Sequence, residues 1–166
     1  HVAGRWGLGG DATMTRTHLV LLAAGGAAAL LLGAFAFQHL GGLAPCKMCI
    51  WQRYPHLAAI AIGLLALFLP VRAVIALGGV AALITAGIGG YHVGVEQAWW
   101  DGPATCSAQD IGGMGTGDLF DQIMAAPLVR CDEIAWQFAG LSMAGWNMVV
   151  SLALALIWVA ALRRPA

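Results

Sequence analysis

Four long apolar runs, separated by shorter polar breaks, organise the chain: 18–37, about 50–69, about 73–95 and about 145–162. Each approaches the roughly 20 residues that an α-helix needs to cross a bilayer core. Lipid offers the backbone no hydrogen-bond partners, so spans of this kind fold as helices. The pattern predicts an all-α membrane protein: a bundle of four transmembrane helices forming a single domain over 14–166. A long polar loop, about 97–144, lies between the third and fourth spans. Gly25, Ala29 and Gly33 make one stripe of small residues, and Ala82, Ala86, Gly90 and Gly94 another. Such stripes let helix backbones approach closely in a bilayer.

Composition narrows the class further. Hydrophobic residues make up 60% of the chain and charged residues 10%. So little charge does not cover a water-soluble globule, and the lipid bilayer is the natural solvent. Seven of the eight acids fall between Glu96 and Glu133, where Arg130 is the only base. An acidic aqueous loop excludes nucleic acid as a partner. Residues 1–13 precede Met14 and its basic lead into the first span, and are expected to be a non-native or disordered extension. Leu43-Ala44-Pro45-Cys46 faintly resembles a lipoprotein cleavage site. Pro45 directly before the cysteine, and three further spans, argue against cleavage.

Four spans put both termini and the short link around Arg72 on one face. Arg5, Arg16, Arg72, Arg163 and Arg164 belong to that face, against Lys47, Arg53 and Arg130 on the other. The positive-inside rule makes the first face cytoplasmic. Trp99, Trp100, Trp136 and Trp146 fit an interfacial belt on the opposite side.

All four cysteines fall on that opposite side. Cys46 and Cys49 form a C-x-x-C at the entrance to the second span, while Cys106 and Cys131 sit in the acidic loop with 24 residues between them. Spacing alone leaves three pairings open. Pro45 readily begins a helix, which would put Cys49 in its first turn. Unpaired backbone N–H groups there favour a thiolate. Arg53, four residues on, shares Cys49's face and adds a permanent positive charge. The bland alternatives are an inert staple or half of a zinc site. Zinc would need two more ligands, and neither a second C-x-x-C nor an H-x-x-x-H exists. For Cys106 and Cys131 the alternative is a structural disulfide, worth about 3 kcal/mol by chain entropy. Gly112, Gly113, Gly115 and Gly117 make that loop glycine-rich, which suits thiol–disulfide exchange better than a buried staple. Within it, 118–124 has the spacing of a short interfacial helix.

Ala44-Pro45-Cys46-Lys47-Met48-Cys49-Ile50-Trp51-Gln52-Arg53 resembles the P-C-x-x-C-x-x-x-R signature of the DsbB (disulfide bond formation protein B) family. Phe37-Gln38-His39 resembles that family's end to the first span, and Cys131 to Met143 its passage from the fourth cysteine into the last span. The match is looser around Tyr91-His92. The resemblance implies a quinone-dependent protein-disulfide oxidoreductase of the bacterial inner membrane that supports disulfide bond formation. It implies that Cys106 and Cys131 accept electrons from a periplasmic DsbA-like thioredoxin-fold protein. Cys131 then attacks Cys46, and Cys49 reduces ubiquinone or menaquinone from the membrane pool. Arg53 would hold the quinone, with His92 a further candidate contact, and no metal is expected. A relative with a dedicated partner other than DsbA is the nearest alternative. A different class, a b-type haem carrier, would need two axial ligands facing across the bundle from among His18, His39, His56 and His92.

Topology is directly testable. Alkaline phosphatase, active only outside the cytoplasm, is expected to be active when fused after Gly117 and inactive after Arg72. The reverse pattern would overturn the orientation.

Overall fold

In a computed structural model the described residues are 14–107 and 129–165, with Gly117, Phe120 and Met124 between them. The expected extension at 1–13 and most of the expected interfacial helix at 118–124 lie outside them. Four long helices dominate: α1 (Arg16–His39), α2 (Lys47–Phe68), α3 (Arg72–Glu96) and, after a four-residue α4 (Ala104–Ser107) and a small hairpin, α5 (Met143–Arg163). Among the described residues three of these, α1, α3 and α5, are long and apolar enough to cross a membrane. The fourth, α2, has comparable length but carries Lys47, Gln52, Arg53 and His56.

Local chemistry sets the helix starts. Thr15 caps α1 by accepting the His18 N–H, and Ser142 caps α5 by accepting the Gly145 N–H at 3.1 Å. At α2 the cap is a sulfur: Cys46 Sγ accepts the Cys49 N–H at 3.2 Å. These side chains satisfy backbone donors that have no partner inside the helix. The second helix therefore begins at Lys47 rather than near Ile50, where its apolar run starts. Ahead of α5, β1 (Gln137–Phe138) pairs antiparallel with β2 (Leu141–Ser142). Ala139 and Gly140 both take positive φ in the two-residue turn, as a tight hairpin requires. The apolar pattern gives no sign of so short a ladder.

The helices form a ring in which α1 meets α2, α2 meets α3, α3 meets α5 and α5 returns to α1, while α1 and α3 scarcely touch across it. Arg16 ties one end together, donating to the carbonyls of Pro70 at 3.1 Å and Arg164 at 2.6 Å. The start of α1, the α2–α3 link and the end of α5 thus share one end, and all four cysteines lie at the other. Large apolar side chains such as Leu32, Leu57, Phe68, Leu83 and Leu156 point outward. That is the inverse of a water-soluble protein and fits a lipid-facing surface.

The core is built from small residues around one large one. Trp158 is fully buried, and a Cβ added to Gly78 would come within 2.6 Å of its ring. The α3 stripe behaves as expected: Ala82, Ala86 and Gly94 are buried, and a Cβ at Gly90 would crowd Met148 on α5. The α1 stripe does not. A Cβ at Gly25 or Gly33 would meet nothing within 4 Å, and the buried face of α1 is Leu19, Val20, Ala23 and Ala27. An α1 that is apolar on every side carries no amphipathic signal to show which face turns inward.

Gly78→Val is expected to destabilise the detergent-solubilised protein by about 2 kcal/mol, the scale of an overpacked core. Gly25→Val should be neutral. Thermal unfolding of the two variants checks this, and equal effects would contradict the packing described.

Candidate active site

The capped start of α2 holds the first cysteine pair. Cys46 is buried and Cys49 half-buried, both are free thiols, and their sulfurs lie 2.8 Å apart. The second pair, Cys106 and Cys131, is joined by a disulfide with Cα atoms 5.2 Å apart. Both members are buried, at the end of the bundle where α4 packs on α2. The two pairs are not separate features. Cys46, Met48, Val95, Cys106 and Cys131 form one buried cluster, with Cys49 and Trp51 packed on it.

Beneath this cluster opens a cavity of about 420 Å³, within the range of small-molecule sites. Cys46, Cys49, Arg53, His92 and Glu96 line one side, and apolar residues of α1 and α5, including Leu30 and Phe37, line much of the rest. The four-residue spacing of Cys49 and Arg53 does bring both to the cavity. The guanidinium donates from Nη1 to Gln38 Oε1 at 2.6 Å and lies over the Phe35 ring at 4.9 Å. Its Nε is buried with no partner among the described residues.

Arg130, expected beside Cys131, has its charge taken up elsewhere. It forks onto Asp132, with Nε to Oδ1 at 2.9 Å, and reaches Glu133 at 3.6 Å. The hydrogen bond from Arg130 holds the Asp132 carboxyl below its ordinary range.

His92, expected as a quinone contact, borders the cavity and is buried. Its Nδ1 lies 3.0 Å from Gln52 Nε2, and its Nε2 lies 3.1 Å from the Cys131 carbonyl oxygen and 3.7 Å from Cys46 Sγ. Both nitrogens are thus engaged by protein, which removes this residue as a ready axial ligand for haem. The other histidines are dispersed. His18 sits at the far end of the bundle beside Thr15, and exposed His39 stacks on Phe35. His56 is buried, with Nε2 2.7 Å from Asn147 Oδ1. The haem arrangement is not formed by these side chains. The ligand atoms of Cys46, Cys49 and His92 do lie within 4.8 Å of one another, a grouping that spacing alone did not reveal. The sulfurs are in mutual contact, and the imidazole Nε2 is engaged by the Cys131 carbonyl.

Gln52, His56, Thr85, Asn147 and Ser151 form a polar chain inside the bundle that sequence reasoning passed over. Asn147 Nδ2 donates to Gln52 Oε1 at 2.7 Å, and Thr85 Oγ1 donates to the Gln52 carbonyl at 3.1 Å. The available signal was five polar residues inside three apolar runs, because intramembrane polar groups are rare unless they face the bundle interior.

A family model described as "Disulfide bond formation protein DsbB" matches residues 16–161. This chain belongs to the DsbB family. Curated relatives named disulfide bond formation protein B agree with it along most of their length. The one from Albidiferax ferrireducens is 35% identical over 151 residues, 80% of this chain and 84% of its own. That from Pasteurella multocida is 33% identical over 150 residues, covering 82% and 83%. That from Polaromonas sp. is 31% identical over 162 residues, covering 92% and 94%. As a DsbB-family member the protein is a membrane-bound disulfide oxidoreductase, a thiol oxidase of disulfide bond formation.

Proposed function

We propose that the protein is an inner-membrane thiol:quinone oxidoreductase. It reoxidises a periplasmic DsbA-like thioredoxin-fold dithiol protein and passes the electrons through Cys106/Cys131 and Cys46/Cys49 to ubiquinone or menaquinone. The observation that carries this reading is the single buried cluster of both cysteine pairs directly over the cavity that Cys49 and Arg53 line. All four long helices cross the bilayer, with both termini cytoplasmic and the cysteine end periplasmic. The joining of the α1 start, the α2–α3 link and the α5 end by Arg16 supports this arrangement.

Each step follows from thiol chemistry. The partner's thiolate attacks Cys106, the Cys106–Cys131 bond breaks, and Cys131 leaves as a thiolate. Cys131 attacks Cys46 of an oxidised Cys46–Cys49 pair, releasing the Cys49 thiolate into the first turn of α2. Helix-terminal N–H groups favour that charge. A quinone in the cavity supplies the two-electron acceptor. The site fits such a group: the cavity has apolar walls of suitable volume, and Arg53 brings a buried Nε donor with no partner among the described residues. Arg53 would orient the acceptor's oxygen and favour negative charge on it and on Cys49.

Arg53→Met keeps length and loses charge, and is expected to raise the apparent quinone KM about tenfold, the scale of one charge-assisted hydrogen bond. Arg53→Lys should be partly impaired, because it lacks the planar fork. Steady-state oxidation at varied quinone with saturating partner measures both. An unchanged KM in Arg53→Met would remove Arg53 from the site.

A further inference from the structure

His92 touches both cysteine pairs at once, and the hydrogen positions around it follow from backbone carbonyls, which accept and never donate. Gln52 Nε2 reaches the Met48 carbonyl at 3.2 Å, so the amide nitrogen, not the oxygen, occupies that position. Asn147 Nδ2 reaches the Thr85 carbonyl at 3.3 Å, which fixes the second amide and turns Gln52 Oε1 toward it at 2.7 Å. Gln52 therefore donates to His92 Nδ1, the ring carries its hydrogen on Nε2, and that N–H meets the Cys131 carbonyl at 3.1 Å. The same nitrogen lies 3.7 Å from Cys46 Sγ, so one N–H stands between the sulfur that is attacked and the backbone of the residue that attacks. On its other side is the Glu96 carboxylate, with Oε1 at 3.9 Å, too far to compete for the hydrogen in this arrangement.

We propose that His92 is a positioning residue for the exchange between the two pairs: its Nε2–H holds the Cys131 backbone beside Cys46, in a tautomer imposed by Gln52 and Asn147. The inference rests on the electron path proposed above and goes beyond it by assigning His92 to the transfer between pairs rather than to quinone binding. In the step concerned, the Cys131 thiolate attacks Cys46 Sγ. The Cys131–Cys46 bond forms, the Cys46–Cys49 bond breaks, and the Cys49 thiolate leaves, so electrons and charge balance with no proton required. Holding the Cys131 carbonyl limits the positions its sulfur can sample, which raises the effective concentration of one sulfur at the other.

The test uses the full chain with Cys49→Ser and Cys106→Ser, leaving Cys46 and Cys131 as its only cysteines. In a glutathione redox buffer, the equilibrium fraction of the Cys46–Cys131 disulfide gives their effective concentration. Adding His92→Ala is expected to lower it about tenfold, the scale of one hydrogen bond. His92→Gln, which keeps an N–H donor of similar reach, should restore part of the loss and guards against a fold defect. In the four-cysteine protein, His92→Gln should lower kcat by a larger factor than it changes the quinone KM. Equal effective concentrations with and without His92, or a changed quinone KM alone, would overturn the positioning role. Failure of the Cys46–Cys131 bond to form with His92 intact would overturn the electron path itself.

Discussion

The structure depends on a helix capped by sulfur. Cys46 terminates α2 by accepting the Cys49 N–H, which fixes both residues in one turn and brings their sulfurs into contact. A serine or aspartate would cap the helix as well, but neither could be oxidised. The cap thus serves local structure and chemistry together, and it sets the depth of the site. Cys49 faces the cavity one turn above Arg53, and Cys46 faces the loop disulfide and His92.

Around that turn the bundle keeps its polar groups inside. Gln52, His56, Thr85 and Asn147 are expensive in lipid and are satisfied here by one another and by carbonyls freed from no helix ladder. The outward surface is left to leucines and other apolar residues. Polar side chains add little hydrophobic stabilisation, but the network gives α2, α3 and α5 a single register. That register places His92 against both cysteine pairs. Small residues around Trp158 do the complementary work at the opposite end, where packing joins the Arg16 hydrogen bonds in holding the helices.

Much of this was legible in the chain. Runs of about 20 apolar residues have few other meanings, so the four long helices could be placed from pattern. Pro45, the C-x-x-C and Arg53 declared their placement through spacing, because capping and i,i+4 geometry are local. What failed was whatever depended on the inward face of a helix. In α1 the stripe Gly25/Ala29/Gly33 has the right period, yet Gly25 and Ala29 are exposed and Gly33 borders the cavity, since lipid and core are equally apolar and period alone does not choose between them. The burial of His56 has no local signature because its partner, Asn147, is 91 residues away. The contact of His92 with Cys131 is likewise non-local, and the 137–142 hairpin is too short for alternation to register.

Thiol counting under anaerobic conditions tests the central claim, that the two pairs act as one relay, most directly. Reduced DsbA-like partner is added without quinone, free cysteines are alkylated and counted by mass spectrometry, and the count is repeated after quinone is supplied. The account predicts that all four cysteines become alkylatable with partner in excess, and that none remains so once quinone is present. Continued protection of Cys106 and Cys131 while the partner stays reduced would show the loop disulfide to be structural and would contradict the account.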